Sequence, residues 1–498
     1  MNKKLLAVFL SVVVIICTLS ACANSNSQPG GHQLVTQTTT QIVTDEASFK
    51  LSYTQSDSLN PFESDTLNNQ VVQNLIFESL FVLDESFEAQ PQLATSYTYQ
   101  DNKTLTVTIE SGIVFSDGSA LDANSVVYSF EQAKKSYRWG NSLRGISSAS
   151  AVSSNVIQFS LAYANPNAHK LLTFAVAKDK TDKKGYPIGS GRYKLGDGDG
   201  TVFLEVNPNK EDFSPRFTKI QLINIATAQS LENAINIGNV SYAYRDLSEG
   251  TSAKIQCNKK AVNLNNLVYI GINNTRGITA NEYIRKAISL AADRDALVKS
   301  AYQGYARSAV SVFNGVSSIG KQTAVFGKSA DTSAAKQAIA QSGYDEKSLK
   351  LDILVNTNPN RVAAARLLKQ QLEAVGFTVS INKQGNKAYQ NKIKSNSFDL
   401  YIGETKIPGD MNLNSFFTAK GATHYGINVK KSPTAKAYTG YLSGNNEIGS
   451  FVLAFSQEMP FVPLLYRQGM ICYSKSLHGD MQGYVDNYFS NIQDWYYN

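Results

Sequence analysis

Residues 349–403 read LKLDILVNTNPNRVAAARLLKQQLEAVGFTVSINKQGNKAYQNKIKSNSFDLYIG, and their periodicity decides the fold class. Leu349, Leu351, Ile353 and Val355 recur with the period of a strand. From Asn360 to Val375 the period changes. Val362, Ala365, Leu368 and Leu372 then share one helical face, and Gly376 ends the run. Phe377, Val379 and Ile381 alternate again, and Phe398 to Gly403 is one more apolar strand. Strand, helix, strand in this order predicts a right-handed crossover with parallel strands, hence α/β architecture.

Toward the N-terminus the style is mixed. Ile284, Ala287, Ile288 and Ala291 repeat at helical spacing. Gly196 to Gly200 joins two strands predicted over 191–195 and 201–207. Tyr97 and Tyr99, a turn at Asp101-Asn102, and then Leu105, Val107 and Ile109 predict a hairpin. Asp117-Gly118 is a further turn. Asp122 is placed to cap a helix through Val126, Val127 and Phe130, with Ser125 at its third position. No internal repeat is present.

The first residues have three parts: Lys3 and Lys4, the apolar run Leu5 to Thr18, and then Leu19-Ser20-Ala21-Cys22. The run is too short for an ordinary membrane span and is followed by small residues, so export and cleavage are expected. A cysteine directly after Leu-Ser-Ala resembles the lipobox of bacterial lipoproteins. That resemblance implies cleavage before Cys22, lipid on Cys22, and a chain anchored to the cell membrane on its extracytoplasmic face. Residues 22–45 are rich in Asn, Ser, Gln, Gly and Thr with no charge before Asp45, and read as a flexible tether. Loss of residues 1–21 takes Lys3 and Lys4 and no acid, so the formal charge falls from +7 to +5. A weakly basic body without clustered Lys or Arg gives no case for nucleic-acid binding. Cys257 and Cys472 remain, either paired or as two free thiols.

Signatures of catalysis are scarce. His32, His169, His424 and His478 begin no His-Glu-x-x-His helix, there is no Gly-x-Ser-x-Gly elbow, and no cysteine pair has metal-site spacing. Gly315 to Lys321 has the glycine and lysine spacing of a phosphate loop, but Gln322 stands where Ser or Thr should hold magnesium, so an ordinary loop is expected. Asp197 and Asp199 lack the glutamate that closes a calcium loop and read as a tight turn. Neither a metal nor a cofactor is expected, and no enzyme activity.

Several segments in order resemble the extracellular solute-binding proteins of the peptide/nickel class, family 5, that serve ABC importers. They are Leu59-Asn60-Pro61-Phe62; Asn74 to Leu80; Pro91-Gln92-Leu93-Ala94; Gly112 to Gly118 with Tyr128-Ser129-Phe130; Pro187 to Tyr193; Asn207-Pro208-Asn209; Tyr283 to Ala287 with Asp293-Arg294; and Pro460 to Leu464. The resemblance implies a two-lobed, type II periplasmic-binding-protein-like fold with an inserted domain and central mixed sheets flanked by helices. Lobe I would take 46–70, 186–272 and 465–498, the inserted domain 71–185, and lobe II 273–464. It implies a monomeric binding protein that captures peptides or a related small solute by hinge closure and delivers them to ABC permease subunits. A receptor for signalling peptides and a binder of nickel complexes or another solute are the alternatives; an exported hydrolase is the rival class.

In peptide-binding members an acid after the Phe398-Asp399-Leu400 strand meets the peptide amino terminus. Here Gly403-Glu404-Thr405-Lys406-Ile407-Pro408-Gly409-Asp410 stands in that place. Glu404 or Asp410 is a candidate substitute. Alternatively Lys406 meets an anionic group, or all three are solvated charges. Trp139, Tyr269 and Tyr425 lie in segments that can face the cleft, and Arg276 follows a strand at an expected lobe crossing. Asp293, Arg294 and Asp295 read as helix-surface charges.

Overall fold

The computed structural model describes residues 48–198, 200–250 and 255–497. The leader 1–21, Cys22, His32, the tether and Asp199 lie outside the described residues. In chain order, β1 (Phe49–Tyr53) and α1 (Leu67–Ile76) come first. A hairpin of β2 (Ala94–Gln100) and β3 (Thr104–Ile109) turns at Asp101 and Asn102, both with positive φ. Then come α2 (Ala123–Lys135), β4 (Ile146–Ala151) and β5 (Val156–Leu161). These strands form an antiparallel sheet ordered β2-β3-β5-β4. The expected cap of α2 forms. The Asp122 carboxylate accepts from Ser125 N at 2.9 Å and the Ser125 hydroxyl from Asp122 N at 3.3 Å. Capped in this way, the helix lays Val126, Phe130 and Ala133 into the core at 4-3 spacing.

The large sheet follows: β6 (Tyr193–Gly198), β7 (Thr201–Val206), β8 (Lys219–Asn224), then α3 (Ala228–Asn236), β9 (Tyr242–Arg245) and β10 (Asn258–Ile272). After α4 (Glu282–Ala291) come β11 (Ala306–Ser308), β12 (Lys350–Val355), α5 (Pro359–Glu373), β13 (Thr378–Lys383), β14 (Leu400–Lys406) and β15 (Phe461–Tyr473). The strand order is β6-β7-β8-β1-β9-β15-β10-β14-β12-β13, with β11 beside β15. The sheet is mixed: β1 runs parallel to β8 and β9, and β12 parallel to β13 and β14, while β10 and β15 pair antiparallel. The β12-α5-β13 unit is the parallel crossover expected from residues 349–381.

Four details differ from expectation. The hairpin strand β6 continues through Gly196 to Gly198, because a Cβ-free Gly196 lets the Phe203 ring lie across its partner position. Strand β14 runs three residues beyond Gly403, since Thr405 and Lys406 pair with Leu267 and Asn266 of β10. Arg294 is not a surface charge. It is buried, with Nε donating to Pro463 O at 2.8 Å and the terminal nitrogens to Ser289 and Gly327, so carbonyl ends solvate the guanidinium where water cannot. The phosphate-loop lookalike is a short helix over Ser318–Gln322, capped by Ser317 and pressed on the Asn314 carbonyl at Gly320.

Burial divides the described residues into two large cores and one small one. The first gathers Phe49, Leu75, Leu105, Phe130, Phe159 and Trp495 from both sheets. The second gathers Leu267, Ile288, Leu368, Leu400, Phe416 and Leu464. The small one holds Leu231, Ile235, Val240, Met470 and Cys472 under α3. Strands β10 and β15 serve both large cores. Val262 and Leu264 of β10 and Ile471 of β15 belong to the first; Leu267 onward and residues up to Tyr466 belong to the second. Between them lies a polar interval, Asn265-Asn266 facing Arg467-Gln468, where the pairing register shifts between Asn263 and Leu267.

Close backbone packing sets a test of this arrangement. A Cβ at Gly191 would lie 2.5 Å from both Leu75 O and Ile76 C, at the end of α1. Gly191→Ala should therefore destabilise the protein by about 1–3 kcal/mol, because backbone cannot move aside as a side chain can. Gly449→Ala, in a helix with open space around it, should be neutral or stabilising. Thermal unfolding of both variants checks the contrast; equal effects would mean that α1 does not sit as described.

Candidate ligand-binding site

The carboxyl ends of parallel strands β1, β8 and β9 open together, the place where α/β sheets bind ligands. A pocket of about 380 Å³ lies there, lined among others by Thr54, Thr66, Asn68, Thr227, Asp246 and Ser248. That volume is within the range of small-ligand sites. Its rim meets the second core. Asn358, which caps α5, donates to Ser248 O at 3.0 Å, and the Arg467 guanidinium donates to Asp246 O.

Beneath this rim Glu404 is held by three groups. Arg467 Nη1 donates to Oε1 at 2.6 Å, Arg361 Nη2 to Oε2 at 2.8 Å, and Asn266 Nδ2 to Oε1 at 3.0 Å. Burial alone would raise the Glu404 pKa, but Arg467 and Arg361 outweigh it and hold the carboxyl below its usual value. The carboxylate is thus ionised and fully engaged. It structures the polar interval and is not free for an incoming amine.

Lys406 stands at the exposed end of the same strand. In the C-terminal segment is Asp486, whose carboxylate takes Arg138 Nη2 at 2.7 Å and whose side chain keeps 25% exposure. Burial raises the Asp486 pKa, and the charges of Arg138 and Lys406 bring it below the usual carboxylate value. The positive charge of Lys406 thus reaches Asp486 from the exposed end of β14. The Arg138 guanidinium lies 4.4 Å from the Trp139 ring centroid, so Trp139 backs this ion pair from within the first core. Tyr244 and Tyr488 pack with ring centroids 4.5 Å apart, close to both Asp246 and Asp486.

The remaining sequence candidates lie elsewhere. Tyr269 is buried and shares a hydrogen bond with the Tyr401 hydroxyl at 3.1 Å. Tyr425 packs on the second core near Tyr401, at the opposite end of β14 from Lys406. Arg276 donates to Phe398 O at 3.1 Å, at that same far end. Asp410 is buried and accepts from Asn165 Nδ2 at 2.7 Å and Asn412 N at 3.1 Å. It ties the loop after β14 to the segment following β5. The residues missed were Arg138, Asp486, Arg361, Arg467 and Asn266. Arg467-Gln468 inside an apolar run and Asn265-Asn266 inside another were the available signals; Asp486 carried none.

Sheet order, two cores on shared strands and a groove at their junction define a type II periplasmic-binding-protein fold. The profile of bacterial extracellular solute-binding proteins, family 5, matches residues 88–425, and the chain belongs to that family. The glutathione-binding protein GsiB of Escherichia coli (strain K12) is 27% identical over 278 residues, 51% of this chain and 54% of that protein. The chain thus spans about half the length of the curated relatives it matches. Among solved structures, the ABC transporter substrate binding protein CtaP of Listeria monocytogenes superposes with a TM-score of 0.71 at 19% identity, covering 90% of this chain and 99% of that one. The periplasmic murein tripeptide binding protein MppA, in its unliganded open form, gives 0.71 at 19% identity, covering 90% and 97%. At these identities the superpositions show the fold.

Asp410 makes a pH test possible. Burial raises its pKa to about 6 against the hydrogen bonds from Asn165 and Asn412. A raised carboxyl pKa means that the folded state holds the proton more tightly, so stability falls as pH rises from about 4 to about 6 and the cost is complete above that. Relative to wild type, Asp410→Asn should gain up to about 3 kcal/mol between pH 4 and pH 7. Denaturant midpoints of both proteins across that range measure it; a gap that does not move with pH removes Asp410 as the source.

Proposed function

We propose that this chain is the substrate-binding subunit of an ABC importer, that it captures short peptides or chemically similar amphoteric solutes, and that it delivers them to a permease. The observation carrying the ligand class is a pair of opposite charges near the core junction: Lys406, exposed at the end of β14, and Asp486, which keeps part of its side chain exposed and lies within range of the Lys406 charge. A short peptide carries an ammonium at one end and a carboxylate at the other. Asp486 suits the first and Lys406 the second, while the pocket beside Asp246 and Ser248 has room for side chains. The similarity to a protein named for binding glutathione agrees with a small, charged, peptide-like ligand.

In this reading the polar interval of β10 and β15 is the hinge. Ligand bridges Lys406 on one side and Asp486 on the other, so it interacts more strongly with the closed arrangement than with an open one, and the difference drives closure. No bond is made or broken. The protein is monomeric and held to the outer face of the cell membrane by lipid on Cys22, with residues 22–45 as tether.

Isothermal titration with glutathione and a panel of di- and tripeptides tests the ligand class. Ligand should raise Tm and be recovered unaltered. Lys406→Ala should weaken carboxylate-bearing ligands by roughly 10- to 100-fold, the worth of a charged hydrogen bond. Unchanged affinity across the panel would return Lys406 to the solvated surface.

The anchor has its own test. Cys22→Ala should move the protein from the membrane fraction of its host to the soluble one; retention at the membrane would place the anchor elsewhere.

A further inference from the structure

Cys257 and Cys472 stand 215 positions apart in the chain and meet in the fold. Lys259 of β10 pairs directly with Cys472 of β15, and Asn258 with Tyr473. Cys257 lies two residues before Lys259, just ahead of β10, and its side chain packs on the small core that contains Cys472. The two thiols are close enough to move each other's pKa in opposite directions, and the Tyr473 backbone acts on Cys257 as well. Both side chains belong to the small core under α3.

The pair is chemically asymmetric. Cys472 is fully buried, whereas Cys257 is half-buried at the mouth of the small core. The Cys472 thiol, the Tyr473 N–H and the Lys259 charge all favour the Cys257 thiolate, and its pKa is lowered; that of Cys472 is raised by its partner and by burial. Cys257 is thus the reactive member and Cys472 the resolving one.

We propose that Cys257 and Cys472 are the site of an intrachain disulfide formed by thiol–disulfide exchange with a disulfide-bearing oxidant, either a small disulfide such as oxidised glutathione or a dithiol oxidase. The Cys257 thiolate attacks one sulfur of the oxidant, a mixed disulfide forms, and the other sulfur leaves as a thiolate. Cys472 loses its proton and attacks the Cys257 Sγ, expelling the second thiolate. The protein gives up two electrons and two protons, and the oxidant is reduced to two thiols. The bond pins the start of β10 to the end of β15. It thereby anchors the C-terminal end of the segment that runs from Asp246 and Ser248 at the pocket to Cys257. This proposal does not rest on the ligand class.

The test uses the full chain, reduced and then incubated with oxidised glutathione, with free thiols alkylated under denaturing conditions before tryptic mapping. The expected product is a cross-linked pair of peptides, 255–259 with 468–475, two hydrogens lighter than the sum of its parts. Oxidised protein should melt about 3–5 °C above reduced protein, as closing so long a loop in the unfolded chain predicts. Cys472→Ser should trap glutathione on Cys257, since no second thiol remains to expel it. Cys257→Ser, changed at a half-buried position, should melt at the same temperature with and without oxidant. Full alkylation of both cysteines after oxidation would overturn the proposal. So would a stable glutathione adduct on wild-type Cys257, or a Tm that ignores the oxidant in the wild type.

Discussion

The pairing of β10 with β15 is the constraint from which the rest of the molecule follows. Each strand is long enough to enter two hydrophobic cores, and each carries a short polar stretch at the passage between them. Those polar groups bond one another and their immediate neighbours, with the Asn265 side-chain oxygen left over as a buried acceptor without a partner. Gln468 donates to Asn263, Asn265 to the Ile407 and Pro408 carbonyls, and Asn266 to Glu404. A continuous apolar seam would weld the cores into one body. A hydrogen-bonded interval keeps the strands paired while it separates the two apolar clusters along each of them.

Electrostatics within the interval decides which charges remain available. Removing Glu404 from two guanidinium groups would cost about 3–5 kcal/mol, the usual penalty for breaking a buried pair. A ligand ammonium would return only about 1.5–3 kcal/mol per charged hydrogen bond. The exchange is unfavourable, so Glu404 stays in place although it is the nearest acid to the position expected from the family. Asp410 is unavailable for a different reason, being buried against Asn165. Asp486, with a quarter of its side chain exposed, is left as the carboxylate within range of Lys406. It reaches that position through Arg138 and the positive φ of its own backbone.

Periodicity carried the elements well because helices and strands are local. The crossover of residues 349–381, the Asp122 cap and the hairpin at Asp101-Asn102 all depend on neighbours a few positions away. The site does not. Arg138 meets Asp486 across 348 positions and Arg467 meets Glu404 across 63, and no spacing rule links such pairs. Aromatic side chains are hard to read for a related reason. Tyr269 reads the same whether its hydroxyl meets a ligand or, as here, Tyr401. Arg294 looked like surface because Asp-Arg-Asp is charged, yet local carbonyl groups solvate it in the interior.

The position of Lys406 is the strongest sign that its charge has a use. Solvated loop lysines commonly stand on backbone that is free to drift. Here the preceding residues are fixed, since Glu404 is clamped and Thr405 pairs with Leu267. The following ones are fixed too. Ile407 N donates to Asn265 O, the Asn265 side chain returns a bond to Ile407 O, and Asp410 anchors the end of the loop. An ammonium group held on a rigid base and exposed to solvent loses little conformational freedom when a carboxylate arrives. Preorganisation of that kind is what the proposed role of Lys406 in ligand recognition draws on.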